Sequence, residues 1–539
     1  MLPFDSPAYF PLLIKSLLRT PLQNAPDTKI VSDGLMRYSY RDFEGRLKRL
    51  AHALSSHGVG QGDVVAMMDW DTHRYFECFF AVPMMGAVLH TVNIRLAPAQ
   101  IAYTIDHAED DVILVHADFL PLMEEVMPLV KRDVRLILLR DDPAQSPDST
   151  FDFITSYDEM MAVPADDFVF PDFDERMRAT TFYTTGTTGE PKAVAYSHRQ
   201  LVLHTMGLLA GLGPIETSNR LHAGDVYMPI TPMFHVHAWG FPYAATLLGI
   251  KQVYAGRYTP ANLLRLIAEE GATFSHCVPT ILQMLLSAPE AADTDLSKLK
   301  MLIGGSALPR GLAEAALARG INVYTGYGMS ETCPVLTVSV LDPEDEAAVE
   351  PRLKTGNPIP MVDLQTVGAG MVEMPRDGVT TGEVVARAPW LNAEYLKNPD
   401  ATSALWEGDY LHTGDVGHID EAGTLMITDR MKDVIKSGGE WVSSLELESL
   451  ASAVDGVAEV AAIGIPDEKW GERPLLLIVA RDGADEGPIR DRIAAAAQAA
   501  VAAGDLSKWA VPDQFRFVTE IAKTSVGKID KKRLRTEVA

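Results

Sequence analysis

Residues Tyr183-Thr184-Thr185-Gly186-Thr187-Thr188-Gly189-Glu190-Pro191-Lys192 gather glycines, hydroxyls and a lysine into one short run. Glycines permit tight turns, hydroxyls and backbone N–H groups can surround phosphate oxygens, and a lysine adds charge. The run is not a Walker A loop, which needs four residues between its glycines and Lys-Ser/Thr directly after the second. The plain alternative is a Gly/Thr hairpin loop, and composition alone does not choose between them. Further candidates follow. Tyr327 in Thr325-Gly326-Tyr327-Gly328-Met329-Ser330-Glu331-Thr332 offers a face for a purine. Glu331 offers the hard oxygens that Mg²⁺ takes from few protein groups. Asp415 in His412-Thr413-Gly414-Asp415 can accept hydrogen bonds from ribose hydroxyls. Each has a plainer reading: core aromatic, helix-start carboxylate, turn former. His235 and His237 alternate and would share a face in an extended segment, but zinc needs three or four ligands and His276-Cys277 does not complete a set. Lys528 lies in Thr524-Ser525-Val526-Gly527-Lys528, among Lys523, Lys531, Lys532, Arg533 and Arg535, which by themselves read as a solvated basic tail.

The elements that must position these groups alternate in type. Phe43, Leu47, Leu50 and Leu54 repeat at helical spacing from Tyr40 to Ser56, and Val64–Met68 reads as a buried strand. Val112–His116 and Leu136–Leu139 repeat the strand pattern, which predicts a layered α/β domain with parallel pairing. Ala179–Tyr183 and Ala193–Ser197 predict a strand on each side of the Gly/Thr loop. The proline-containing acidic stretch 141–174 reads as a surface connection. After residue 430 the character changes: strands at 460–465, 475–479 and 515–518 surround an alanine-rich helix at 491–503, about the size of a small independent domain.

Composition narrows the classes. The 539 residues exceed what one hydrophobic core serves, so at least two domains are expected. Lys+Arg 47 against Asp+Glu 73 gives a net charge of −26, which argues against a nucleic-acid-coating protein while leaving room for a locally positive pocket. Three widely spaced cysteines, Cys78, Cys277 and Cys333, favour a reducing, cytoplasmic setting. The apolar patch near the start is interrupted by Lys15 and reads as a packing segment, and no run approaches the roughly 20 apolar residues of a membrane span.

Taken in order, Thr184–Lys192, Tyr327–Thr332, Thr413–Asp415, Asp429-Arg430, Lys436–Glu440 and Thr524–Lys528 resemble the motif series of adenylate-forming acyl-CoA synthetases, over nearly the whole chain. That superfamily also holds luciferases and the adenylation domains of peptide synthetases. Within it, Met233–Trp239 and Gly438–Ser444 are most similar to medium- and long-chain fatty acyl and 3-methylmercaptopropionate–CoA ligases. Two positions depart from the usual pattern: Ala193 follows the loop lysine where glycine is common, and Ala522 precedes Lys523 where proline is common.

The resemblance implies an α/β fold with a large layered N-terminal domain, 1–430, and a small mobile α+β lid domain, 431–539, hinged at Lys432. It implies that a carboxylate attacks the α-phosphate of ATP, giving acyl-adenylate and pyrophosphate, after which the coenzyme A thiol displaces AMP. Thr184, Thr185, Gly186, Thr187, Thr188 and Lys192 would hold phosphates, with Thr184 and Glu331 on Mg²⁺. Gly305, Ser306 and Ala307 would pass beside the adenine, with Tyr327, Gly328 and Thr332 nearby, and Asp415 and Arg430 on the ribose. Lys528 would be the adenylation lysine and Lys432 the hinge residue. His235 would border the acyl carboxylate, Trp239 would gate the acyl tunnel, and Lys436, Gly438, Gly439 and Trp441 would meet coenzyme A. The expected acid is 3-methylmercaptopropionate or a short- or medium-chain fatty acid, with a long-chain acid or a non-catalytic nucleotide binder as alternatives. The resemblance also implies a homodimer. A kinase would need Walker or kinase motifs that the sequence lacks.

Overall fold

A computed structural model describes residues 8, 10–184, 190–437, 440–503, 506–524 and 527–538. Thr185, Gly186, Thr187, Thr188, Gly438 and Gly439 lie outside the described residues, as does the side chain of Trp441.

The helix Tyr40–Ser56 begins where the sequence predicts it, because Ser39 and Asp42 cap it reciprocally. Its Phe43, Leu47, Leu50 and Leu54 are all buried. Among the described residues the strands form four sheets. One has seven strands in the spatial order Phe153–Ser156, Arg135–Leu139, Val112–His116, Val64–Met68, Val88–Thr91, Arg178–Thr184 and Lys192–Ser197. Its pairs are parallel except the last, Arg178–Thr184 with Lys192–Ser197, which is the predicted strand–loop–strand. A second, nine-stranded sheet is parallel through Phe274–Cys277, Lys300–Ile303 and Asn322–Gly328 and turns antiparallel at Val335–Val338. The helix His73–Met84 is buried on every face, with Phe76 stacked on Tyr254 of the nine-stranded sheet at 5.0 Å. A helix buried all round belongs between layers, and this one joins the two sheets, with its buried Arg74 and Glu77 paired to Asp69 and Arg46.

The stretch 141–174 is more than a surface connection. It supplies the edge strand Phe153–Ser156 and the helix Tyr157–Ala162, whose cap is again reciprocal, Ser156 with Glu159. The acidic composition hid a four-residue strand whose ladder partner lies on Arg135–Leu139.

The third sheet ends with Leu425–Arg430 against Tyr410–Ile419, and the fourth begins at Ile435–Ser437. The turn between them is closed by the Asp433 N–H donating to the Arg430 carbonyl at 2.8 Å. The fourth sheet pairs Val457–Asp467 with Gly471–Ala480 and carries the helices Ser444–Ser452 and Glu486–Ala503. The molecule is thus a large α/β body with a smaller α+β body after it. Among the described residues no helix is long and apolar enough to cross a membrane.

Candidate active site

Two adjoining cavities meet where the small body closes on the large one. The smaller, about 430 Å³, is lined by His235, Trp239, Leu302, Met329, Pro334 and Val335. The larger, about 1030 Å³, is lined by Ser306, Ala307, Thr355, Asp415, Ile427 and Arg430. Gly305, Gly326, Tyr327, Gly328 and Lys528 line both. Strand ends build this junction: Lys300–Ile303 runs into Gly304–Ala307, and Asn322–Gly328 carries Tyr327 at its end. Ligands of open parallel sheets sit at the carboxyl ends of strands, where connecting segments diverge.

Lys528 reaches the junction from the small body. Its loop is held by the Thr524 hydroxyl, which accepts from the Lys528 N–H at 3.2 Å, and by the Thr280 hydroxyl of the large body, which donates to the Gly527 carbonyl at 3.0 Å. Gly305 has φ +80°, and a Cβ there would fall 2.9 Å from Lys528 Cε, so glycine is what lets the lysine stem pass. Burial, then the Arg430 charge, lowers the Lys528 pKa to about 8 against the pull of Asp415 and Glu331. A lysine desolvated among mixed charges gains by meeting anions.

Asp415 is buried at 5% exposure and sits on the strand beside Arg430. It accepts from the Tyr327 hydroxyl at 2.8 Å and pairs with Arg430 Nε at 3.1 Å. Burial and the Asp415 charge push the Tyr327 phenol well above its usual range, so the ring stays neutral. A second charged cluster lies at the Gly/Thr loop. The Glu331 carboxylate, buried, accepts from the Tyr395 hydroxyl at 2.6 Å, and the Lys192 ammonium lies 4.8 Å from the Tyr395 ring centre. Burial raises the Glu331 pKa. Thr184, half-buried, donates weakly to the Lys192 carbonyl at 3.5 Å.

Several expected residues stand elsewhere. Thr332 is fully buried and its hydroxyl braces its own turn, accepting from the Met329 N–H at 3.0 Å and donating to the Pro334 carbonyl, and it lines neither cavity. Lys432 is exposed in the 430–433 turn and also lines neither. Lys436 is exposed on Ile435–Ser437, opposite Trp441 in the strand pairing. The two histidines do not share a face. Val236, His237, Ala238 and Trp239 have φ of 45°, 57°, 47° and 58°, a left-handed turn instead of an extended segment. The turn sends His235 to the small cavity and buries His237 among Phe79, Phe182 and Tyr243. Burial first, then the Lys528 charge, lowers the His235 pKa to about 3, so its ring is neutral. Non-glycine residues are rare in this conformation and never form long runs, so alternation could not foretell it. Tyr395 went unforeseen, because nothing in its local spacing links it to Glu331, 64 residues earlier.

Residues 18–396 match the model of the AMP-binding enzyme family, and residues 446–528 match that of the AMP-binding enzyme C-terminal domain. The chain belongs to this family. The long-chain-fatty-acid–CoA ligase of Thermus thermophilus is 40% identical over 509 residues, covering 93% of this chain and 90% of that protein. The 3-methylmercaptopropionyl-CoA ligase of Ruegeria pomeroyi is 36% identical over 543 residues, 98% of each. Among solved structures, a Mycobacterium tuberculosis fatty acyl CoA synthetase matches with TM-score 0.70 at 27% identity over 98% of both chains. An anthranilate CoA ligase in complex with anthranoyl-AMP has the same fold, with TM-score 0.85 at 22% identity over 100% of this chain and 98% of that one. The chain is an adenylate-forming acyl-CoA ligase, and its substrates are a carboxylic acid, ATP and coenzyme A.

Proposed function

We propose that the acid is short and linear, of the 3-methylmercaptopropionate or butyrate–hexanoate class, and that it sits in the small cavity with its carboxylate toward Lys528. The observation that carries this reading is the place of Trp239, a buried indole that lines that cavity with its edge against Gly304. With the carboxylate toward Lys528, the chain of the acid meets Trp239, 6% exposed, together with Leu302, Pro334 and Val335. Relatives named for long-chain and for 3-methylmercaptopropionyl substrates both match well, so their names do not choose.

In this reading ATP lies across the large cavity, with Gly305–Ala307 and Tyr327 about the adenine and Asp415 and Arg430 on the ribose. Lys528 then stands between carboxylate and α-phosphate, where two anions must meet and electrostatic stabilisation is the main requirement. Lys192 and the loop 184–192 take the β- and γ-phosphates. Mg²⁺ fits the residues present: Glu331 is a buried carboxylate whose raised pKa a cation would offset, and Thr184 adds a hydroxyl. With one carboxylate, the ion would rely on phosphate oxygens for most of its ligands, as Mg²⁺ normally does, and when bound it would supply charge neutralisation at the phosphates. Neutral His235 can donate or accept one hydrogen bond at the carboxylate without adding charge.

After adenylation, the part from 431 onward turns about Lys432 to expose the adenylate to thiol, and Lys436, Gly438, Gly439 and Trp441 then meet coenzyme A. Support for a hinge there is the change of sheet between Arg430 and Ile435. A hinge needs only a few terminal residues to absorb the backbone change. A cytoplasmic setting and a homodimer complete the proposal.

A long-chain acid is the second reading, and the observation favouring it is the left-handed turn at Val236–Trp239, which could relax and swing the indole away. An acid series separates them. Acyl-CoA formation should have its highest kcat/KM for 3-methylmercaptopropionate or acids of about four to six carbons and fall at least roughly tenfold by laurate, within the range one or two methylenes can produce. Laurate or palmitate as the best acid would overturn the short-acid reading.

A further inference from the structure

Trp239 does not close the small cavity by its own backbone preference. Four successive non-glycine residues end at it with positive φ, a conformation that L side chains disfavour. Something must hold the indole where it is. Beside it lies Gly304, where a Cβ would come within 3.0 Å of the indole edge, so only the bare backbone admits the ring. Stacked on the indole ring lies His276, fully buried on the strand Phe274–Cys277, with ring centres 5.0 Å apart and planes at 29°. His276 stacks in turn on Phe241 at 4.8 Å.

The hydrogen bonds of His276 fix its plane. The Thr231 hydroxyl lies 3.2 Å from the His276 carbonyl. The same hydroxyl lies 2.9 Å from His276 Nδ1, and the Tyr227 hydroxyl lies 2.8 Å from Nε2, each within hydrogen-bond distance. Both ring nitrogens are satisfied, so rotating or tilting the imidazole breaks hydrogen bonds inside the core. Burial lowers the His276 pKa to about 3, so a neutral aromatic ring faces the indole.

We infer that His276 is a positioning residue that sets the acyl-chain length this enzyme accepts, by holding Trp239 as the end wall of the acid cavity. The inference rests on the proposed placement of the acid against Trp239. His276 itself touches no substrate. It acts through the stack, and Tyr227 and Thr231 act through His276.

The test compares the parent enzyme with Trp239→Ala, His276→Ala and Tyr227→Phe, reading KM for octanoate relative to KM for butyrate. Trp239→Ala should lower that ratio most. His276→Ala, which removes the stacked ring, should lower it at least about tenfold, the scale of discrimination that one methylene commands. Tyr227→Phe keeps every ring and removes one hydrogen bond, so it should shift the ratio the same way by about threefold; it decides the matter if His276→Ala does not fold. A merely structural role would weaken both acids alike and leave the ratio at the parent value. If Trp239→Ala moves the ratio while His276→Ala and Tyr227→Phe leave it unchanged, the role of His276 is refuted. If Trp239→Ala itself leaves it unchanged, the placement of the acid falls, and the inference falls with it.

Discussion

Lys528→Ala lowers acid-dependent pyrophosphate release by roughly 10²-fold or more, the scale for losing one key electrostatic group in a transition state where charges meet. Supplied with pre-formed acyl-adenylate and coenzyme A, the same variant makes acyl-CoA at close to the parent rate, because a thiol attacking a neutral carbonyl has less need of that charge. Lys523→Ala is the control. It removes an equal charge nearby in sequence, but Lys523 is spent on Glu459 at 3.1 Å and lines the outer cleft between the two bodies, so adenylation should persist. Equal loss in both variants would make the charge a diffuse field and refute the assignment of Lys528. The lowered pKa, about 8, adds a pH signature. Protonated Lys528 is the active form, so the rate at subsaturating ATP and subsaturating acid, which reports the ligand-free enzyme, should fall as pH rises through about 8. Lys528→Arg stays charged across that range and should lose this limb even where its activity is reduced. A limb unchanged in Lys528→Arg would assign it to another group.

Asp415→Ala raises KM for ATP by roughly 10- to 10²-fold. The substitution removes a charged acceptor, worth about 1.5–3 kcal/mol per hydrogen bond, and leaves the buried Tyr327 hydroxyl without its acceptor and Arg430 without its partner. Asp415→Asn keeps an acceptor and should cost less. KM for the acid should change little in either variant, because Asp415 lines the large cavity and not the small one. Parallel loss for ATP and acid, with a lowered melting temperature, would mean that the carboxylate serves the fold and not the nucleotide.

Much of this arrangement was legible in the sequence where local chemistry decides. Phe43, Leu47, Leu50 and Leu54 announce a helix by their spacing, and the apolar runs 64–68 and 112–116 announce buried parallel strands, because periodicity and burial act over a few residues. The family resemblance also implied Lys528, Asp415, Tyr327 and Gly305, which the fold brings to one junction from segments far apart in the chain. What could not be read depends on contacts at long separation or on a backbone state that propensity disfavours. Tyr395 gains its meaning only from Glu331 and Lys192. His235 and His237 part company only because four residues adopt positive φ, which packing around Trp239 and Gly304 imposes against local preference. Thr332 belongs to a motif yet spends its hydroxyl on its own turn. Small hydroxyl residues serve backbone and ligand equally well, and sequence does not distinguish the two uses.

The central claim is that the acid is activated by joining its own oxygen to the α-phosphorus of ATP. Carboxylate labelled with ¹⁸O at both oxygens tests it directly in a reaction with ATP and coenzyme A, read by mass spectrometry of every phosphorus product. Attack on the α-phosphorus followed by thiol displacement leaves one labelled oxygen in AMP, one in the thioester and none in pyrophosphate. Label in inorganic phosphate with ADP as the nucleotide product, or AMP free of label, would contradict the account.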